Sequence, residues 1–198
     1  MTSSQPTGSA HNPHGHRTWL HLLPEDPEFV PAPGEIEAAE KLLAACDLGV
    51  RGPEPGVLAP GPAFADLLLS RRLIPMAGPV RGEVRLEAGV LRCYPDPGPE
   101  GFDTDPPQPY QASCPGCGVL LEFFKLRFPT PDPMAAVCPR CALSLDVSAL
   151  PWSPRLPVAR TEVTFGDLDG RPSLRGTAFF AELEKLWATP LCEVYVTL

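Results

Sequence analysis

Residues 158–198 read VARTEVTFGDLDGRPSLRGTAFFAELEKLWATPLCEVYVTL, and three regular elements follow one another in them. Over 158–165, Thr161, Val163 and Phe165 alternate with Arg160, Glu162 and Thr164, the period of a strand with one apolar face. Over 173–188, Phe179, Leu183 and Leu186 share a helical face with Phe180 and Trp187 beside it, and Pro190 marks the stop. Over 191–198, Cys192, Val194, Val196 and Leu198 line one face of a closing strand. Strand, helix, strand is one βαβ half.

The first half of the chain repeats the order. Thr18, Trp19, Leu20, His21, Leu22 and Leu23 form a short strand stopped by Pro24. A helix is expected over 35–47. Glu35, Glu37 and Glu40 suit its positive N-terminal end, Ile36, Ala39, Leu43 and Cys46 make its apolar face, and Gly49 stands where a C-terminal cap glycine belongs. Residues 50–62 read as a Pro/Gly-rich loop and 64–73 as a short second helix. From 80 to 87, Val80, Val84 and Leu86 alternate with Arg81, Glu83, Arg85 and Glu87, and Ala88-Gly89 turns that strand into 90–94 as a hairpin. The fold class is therefore α+β: a ferredoxin-like split βαβ sheet with its helices on one face. It spans 18–110 and 151–198, with a tail over 1–17 and an inserted block over 111–150.

The inserted block carries the chemistry. It contains Cys114-Pro115-Gly116-Cys117-Gly118 and Cys138-Pro139-Arg140-Cys141, with 20 residues between Cys117 and Cys138. Two C-x-x-C pairs at that separation match a zinc-site pattern. Each pair forms a tight knuckle whose sulfurs meet one ion about 2.3 Å away, and two knuckles close a tetrahedron. Pro115 and Pro139 pre-set the turns. Gly118 allows positive φ, so that amides can face sulfur, while Ala142 holds the matching place less well. Strand-like runs follow each knuckle, at 119–128 and 143–147, which makes the block a zinc ribbon. Phe123, Phe124, Leu126 and Phe128 are expected to cover the site. The metal ligands are then Cys114, Cys117, Cys138 and Cys141, holding one structural zinc ion.

Other readings of the knuckles fit less well. A rubredoxin-type iron centre uses the same two pairs. A thioredoxin-like dithiol needs the pair between a strand and a helix start, but Pro106, Pro107 and Pro109 precede it and a strand pattern follows. A nucleic-acid ribbon needs clustered basic residues, and 112–145 holds only Lys125, Arg127 and Arg140 against Glu122 and Asp132.

Composition narrows the class further. The 198 residues include 28 prolines and 17 glycines, nearly a quarter of the chain against a usual share of about 12 %. The 13 arginines to 3 lysines suit a GC-rich genome. Net charge is −8, which argues against nucleic acid as a partner. No apolar run approaches the length of a membrane span, and residues 1–10 lack the basic and apolar regions of a signal peptide. The expected location is cytoplasmic.

A catalytic set is not legible. The chain has no G-x-S-x-G, no H-E-x-x-H and no phosphate-binding loop. His11, His14 and His16 belong to the tail, leaving His21, which reads as a structural or surface histidine. Asp167, Leu168, Asp169 and Gly170 read as a turn, and Asp103 and Asp105 as a solvated loop pair. Cys46, Cys93 and Cys192 read as small buried hydrophobes.

The opening from Trp19 through Pro24 and Pro27 to Phe29, Val30 and Pro31, the two knuckles, and the ending over 186–198 resemble a family of small bacterial proteins carrying paired C-x-x-C motifs. That resemblance implies bacterial origin and a strand at each end of the chain. The family has no established activity. Some of its members bear a transporter-ATPase label, which the missing phosphate loop contradicts here. The proline-rich segments at 50–62 and 95–110 are longer than the family pattern.

The function expected from these features is a non-enzymatic, zinc-stabilised protein-binding module, of an adaptor or toxin-neutralising type. Its acidic surface suits a basic protein partner. The alternatives are an iron electron-transfer protein and an enzyme whose site is assembled from scattered polar residues.

Overall fold

The computed structural model describes residues 18–52, 56–64, 82–94, 110–129, 134–168 and 172–197. The expected tail over 1–17, most of the expected helix over 64–73, and the acidic segment 95–109 lie outside these residues.

The chain is α+β, and its strands pair antiparallel throughout. The elements of the main body are β1 (Thr18–Pro24), α1 (Pro33–Ala45), β2 (Gly49–Arg51), β3 (Val57–Pro60), β4 (Glu83–Cys93), β9 (Val158–Leu168), α2 (Ala178–Trp187) and β10 (Leu191–Thr197). Between β4 and β9 come β5 (Gln111–Ser113), β6 (Leu120–Glu122), β7 (Ala135–Val137) and β8 (Ser144–Asp146). The six-stranded sheet runs β10-β1-β9-β4-β3-β2, and β5-β6 and β7-β8 form two small hairpin sheets. The segments at the two ends of the chain, β1 and β10, are thus neighbours in one sheet, in register from Thr18↔Thr197 to Pro24↔Leu191.

Both helices cover one face of that sheet. Leu20 and Leu22 of β1, Val84 and Leu86 of β4, and Val163 and Phe165 of β9 join Ala39 and Leu43 of α1 and Phe179, Leu183 and Trp187 of α2 in one buried cluster. Phe165 stacks on Phe64 and meets Phe179 edge-on. Each helix starts on a local device. Pro33 opens α1, where the Glu35 carboxylate accepts the Ala32 N–H at 2.7 Å. Thr177 caps α2 by accepting the Phe180 N–H at 3.2 Å.

Three expectations need correction. Gly49 is not a helix cap: α1 ends earlier, Asp47 takes the left-handed conformation at φ +55°, and Gly49 opens β2. Residues 50–62 are not all loop, because β2 and β3 pair there and extend the sheet at its edge. Ala88-Gly89 is not a hairpin. β4 continues from Glu83 to Cys93 along the same partner, β9. Between Ala88↔Thr161 and Arg92↔Ala159 it spends four steps where β9 spends two, so two extra residues bulge outward, with Gly89 at φ +94°. A glycine at positive φ marks a bulge and a turn alike, and the strand's apolar alternation cannot tell them apart.

The inserted block has its own small core. Tyr110, Leu121, Phe123, Leu126, Leu145, Val147 and Trp152 are buried together with Cys114 and Cys138. Cys93 and Val158, the ends of β4 and β9, pack against that cluster and so join it to the sheet. Backbone bonds exchanged by Gln111 and Ser153, and one from the Tyr94 N–H to the Pro157 carbonyl, tie the junction.

Candidate functional site

The two knuckles are built alike. The Gly118 N–H donates to the Cys114 carbonyl at 2.8 Å, and the Ala142 N–H to the Cys138 carbonyl at 3.0 Å. The Cys114 N–H donates to the Val119 carbonyl and the Cys138 N–H to that of Leu143, both at 2.9 Å. Gly118 (φ +69°) and Ala142 (φ +58°) both turn the chain through the left-handed region. The expected weakness at Ala142 is met by placing a β-carbon where glycine is preferred, without changing the turn.

These knuckles bring Cys114, Cys117, Cys138 and Cys141 together, with all four Sγ atoms within 4.8 Å of one another. Cys114 lies 3.8 Å from Cys141 and Cys117 lies 3.8 Å from Cys138, sulfur to sulfur. A tetrahedral ion with metal–sulfur bonds of about 2.3 Å needs sulfur–sulfur edges of about 3.8 Å. The donor set therefore fits one metal ion with four thiolate ligands. Electrostatics agree. The Cys141 amide N–H outweighs desolvation and, with that of Arg140, holds the Cys138 thiol down to about 6. Cys141 goes the other way: the Leu143 amide favours its thiolate, but desolvation and the neighbouring thiols push it up to about 12. Four thiolates at this spacing repel one another, and a divalent cation is what lets all four lose their protons.

Cys141 is the exposed ligand, while Cys114 and Cys138 are buried. Phe123 and Leu126 are buried as expected, but Phe124 and Phe128 are not: they stand 55 % and 38 % exposed. The expectation of four covering side chains fails because residues 123–125 form a 3-10 turn, which breaks the strand alternation and rolls Phe124 outward.

A second constellation lies on the sheet face opposite the helices, where the strand pattern leads one to expect solvent. His21 and Glu162 are buried there, with side chains 11 % and 5 % exposed. His21 Nδ1 lies 2.7 Å from Glu162 Oε2, and the Thr164 hydroxyl donates to the same oxygen at 2.9 Å. Arg92 Nη1 donates to Glu162 Oε1 at 2.8 Å and also meets Glu87. The Tyr94 ring lies 4.5 Å from the His21 ring. Desolvation opposes the charge on Glu162, but bonds from His21, Tyr94 and Thr164 outweigh it and hold the carboxyl down to about 2. Glu162 is thus a carboxylate that only accepts, so Nδ1 of His21 carries the proton between them. Burial pushes the Tyr94 hydroxyl up. Beside this network, Glu87, Arg92, Tyr94, Arg160 and Glu162 line a pocket of about 230 Å³ against the β4 bulge.

Sequence reasoning missed this network. The alternation over 158–165 puts Arg160, Glu162 and Thr164 on the face away from Val163 and Phe165, where solvent is expected, and His21, read as a structural or surface histidine, is structural, buried against Glu162. The available signal was His21 in an otherwise apolar strand, but its partner is 141 positions away. Cys46, Cys93 and Cys192 are half-buried rather than fully buried, and burial pushes all three thiols up, Cys93 to about 12. No helix among the described residues is long and apolar enough to cross a membrane. No protein-family model, no curated protein and no solved structure matches the chain.

Proposed function

We propose that the chain is a zinc-binding protein whose ribbon, 111–150, is a structural and non-enzymatic docking module for a basic protein partner. The module is inserted into a ferredoxin-like split βαβ domain formed by 18–110 and 151–198. The strand order β10-β1-β9-β4 supports that architecture: each outer strand is separated from its βαβ mate by one strand of the other half. Membership of the bacterial family with paired C-x-x-C motifs belongs to the same reading.

One observation carries the docking role. Among the described residues, seven large hydrophobic side chains are exposed, and four of them, Leu120, Phe124, Phe128 and Leu143, belong to the ribbon. A closed four-thiolate site leaves no coordination position for a substrate, so its metal serves to hold this surface in shape. Four soft thiolates gathered within 4.8 Å of one another suit zinc. The net charge of −8 favours a basic partner by electrostatic steering. All seven cysteines are unbridged thiols, which suits a reducing compartment such as the cytoplasm.

The test compares the tagged native chain with Phe124→Glu and Leu120→Ser, changes that leave the four cysteines untouched. The expected result is a stoichiometric basic partner that leaves at high salt and is lost from both variants while zinc is retained. A partner held equally by the variants, or none at all, contradicts the docking role. Thiolate-to-iron colour in the purified protein contradicts zinc.

A further inference from the structure

We propose that the pocket beside the β4 bulge is a second, independent site, which binds a small molecule through an oxyanion gripped by Arg92 and Arg160. The bulge makes the space: its two extra residues push Val90 out to 62 % exposure, and Arg92, Tyr94 and Arg160 of β9 are among the residues that line it.

Both guanidinium groups have donors to spare. Arg92 meets Glu162 and Glu87 through Nη1 and bonds the Tyr94 hydroxyl, which leaves part of its five-donor fork free, and Arg160 meets Glu28 through Nε. Among the described residues no acceptor is bonded to the terminal nitrogens of Arg160. Arg92 is also held in position. Glu162 behind it is buried and is itself fixed by His21 and Thr164, so Arg92 loses little freedom when a ligand arrives.

The carboxylates nearby do not block an anion. Glu28 is 66 % exposed, so its pair with Arg160 is worth little. Glu87 is the true competitor, because it meets Arg92 inside the pocket. It has a second partner in Arg85, whose Nη1 lies 3.9 Å from Glu87 Oε1. An entering oxyanion takes the place of Glu87 on Arg92 and leaves Glu87 to Arg85. A fork of two guanidinium groups in a pocket of about 230 Å³ suits the phosphate of a small monoester or a carboxylate.

The experiment titrates the full metal-loaded chain with inorganic phosphate, and separately with acetate, following the side-chain Nε–H signals of its arginines by NMR. Saturable shifts at Arg92 and Arg160 are expected. Arg160→Ala should weaken binding about tenfold, the loss of one charge-assisted contact, and Glu87→Gln should strengthen it. Arg160→Lys should fall between, since it keeps the charge but not the fork. Saturation by phosphate alone assigns a phosphomonoester, and saturation by both anions a carboxylate-tolerant site. The absence of saturation by either anion overturns the proposal, as does equal binding by Arg160→Ala with an otherwise unchanged amide spectrum.

Discussion

Gly118 and Ala142 occupy the same position in the two knuckles, each one residue after a cysteine and each at a left-handed φ, +69° and +58°. The chain thus repeats one local turn twice, and only one copy has the residue that turn prefers.

That asymmetry gives the first test. Ala142→Gly removes the strain of a β-carbon in the left-handed region at some cost in chain entropy, for a net gain of about 0.5–1 kcal/mol. Gly118→Ala should lose a similar amount. Both effects should appear as opposite shifts in the thermal midpoint and in metal retention against a competing chelator.

The His21–Glu162 network should depend on pH with a definite sign. Glu162 titrates near 2 in the fold against an ordinary value of 4.5. A lowered folded value means that the stabilisation is fully present above about pH 4.5 and is lost as pH falls towards 2. Its size is about 3 kcal/mol to order of magnitude. Glu162→Gln should therefore cost most near pH 7, and the gap from the native chain should narrow between pH 4.5 and 2. Denaturant melts at several pH values would measure it. A pH-independent gap would mean that Glu162 contributes by shape and not by charge.

Close packing on the same sheet face gives a third test. A β-carbon added at Gly166 would come within 2.5 Å of the Trp19 ring. Gly166→Ala should therefore destabilise by about 1–3 kcal/mol, as overpacking does, with a changed Trp19 fluorescence. Phe165→Ala, in the helix-side core, should cost about 3–5 kcal/mol.

Metal removal should act unevenly. The buried cluster around Cys114, Cys138, Phe123 and Trp152 is separate from the cluster under the two helices. A strong chelator should abolish amide protection through 110–129 and 134–150 while β1, β9 and α2 keep theirs. Simultaneous loss from the helices and sheet would show that the two cores fold as one unit.

The parts legible in the sequence were those set by short-range physics. The knuckles are four cysteines at fixed spacing, and the strands and helices at both ends carry clear periods of two and 3.6. Leu20, Leu22, Val163 and Phe165 turned inward as their alternation implies. What stayed hidden depends on distant partners. Nothing local to Glu162 reveals that His21, Tyr94 and Arg92 surround it, so a buried polar cluster looks like a solvated face. The bulge at Gly89 looks like a turn because both want positive φ. The outward roll of Phe124 follows from a single 3-10 turn that a run of apolar residues does not announce.

Native mass spectrometry of the intact chain, beside Cys117→Ser/Cys138→Ser, shows whether the four cysteines hold a structural metal ion and which metal it is. The expected result is one zinc ion per native chain and none in the double variant, together with a lower melting temperature for the variant. Bound metal and melting behaviour unchanged by the double substitution would contradict it.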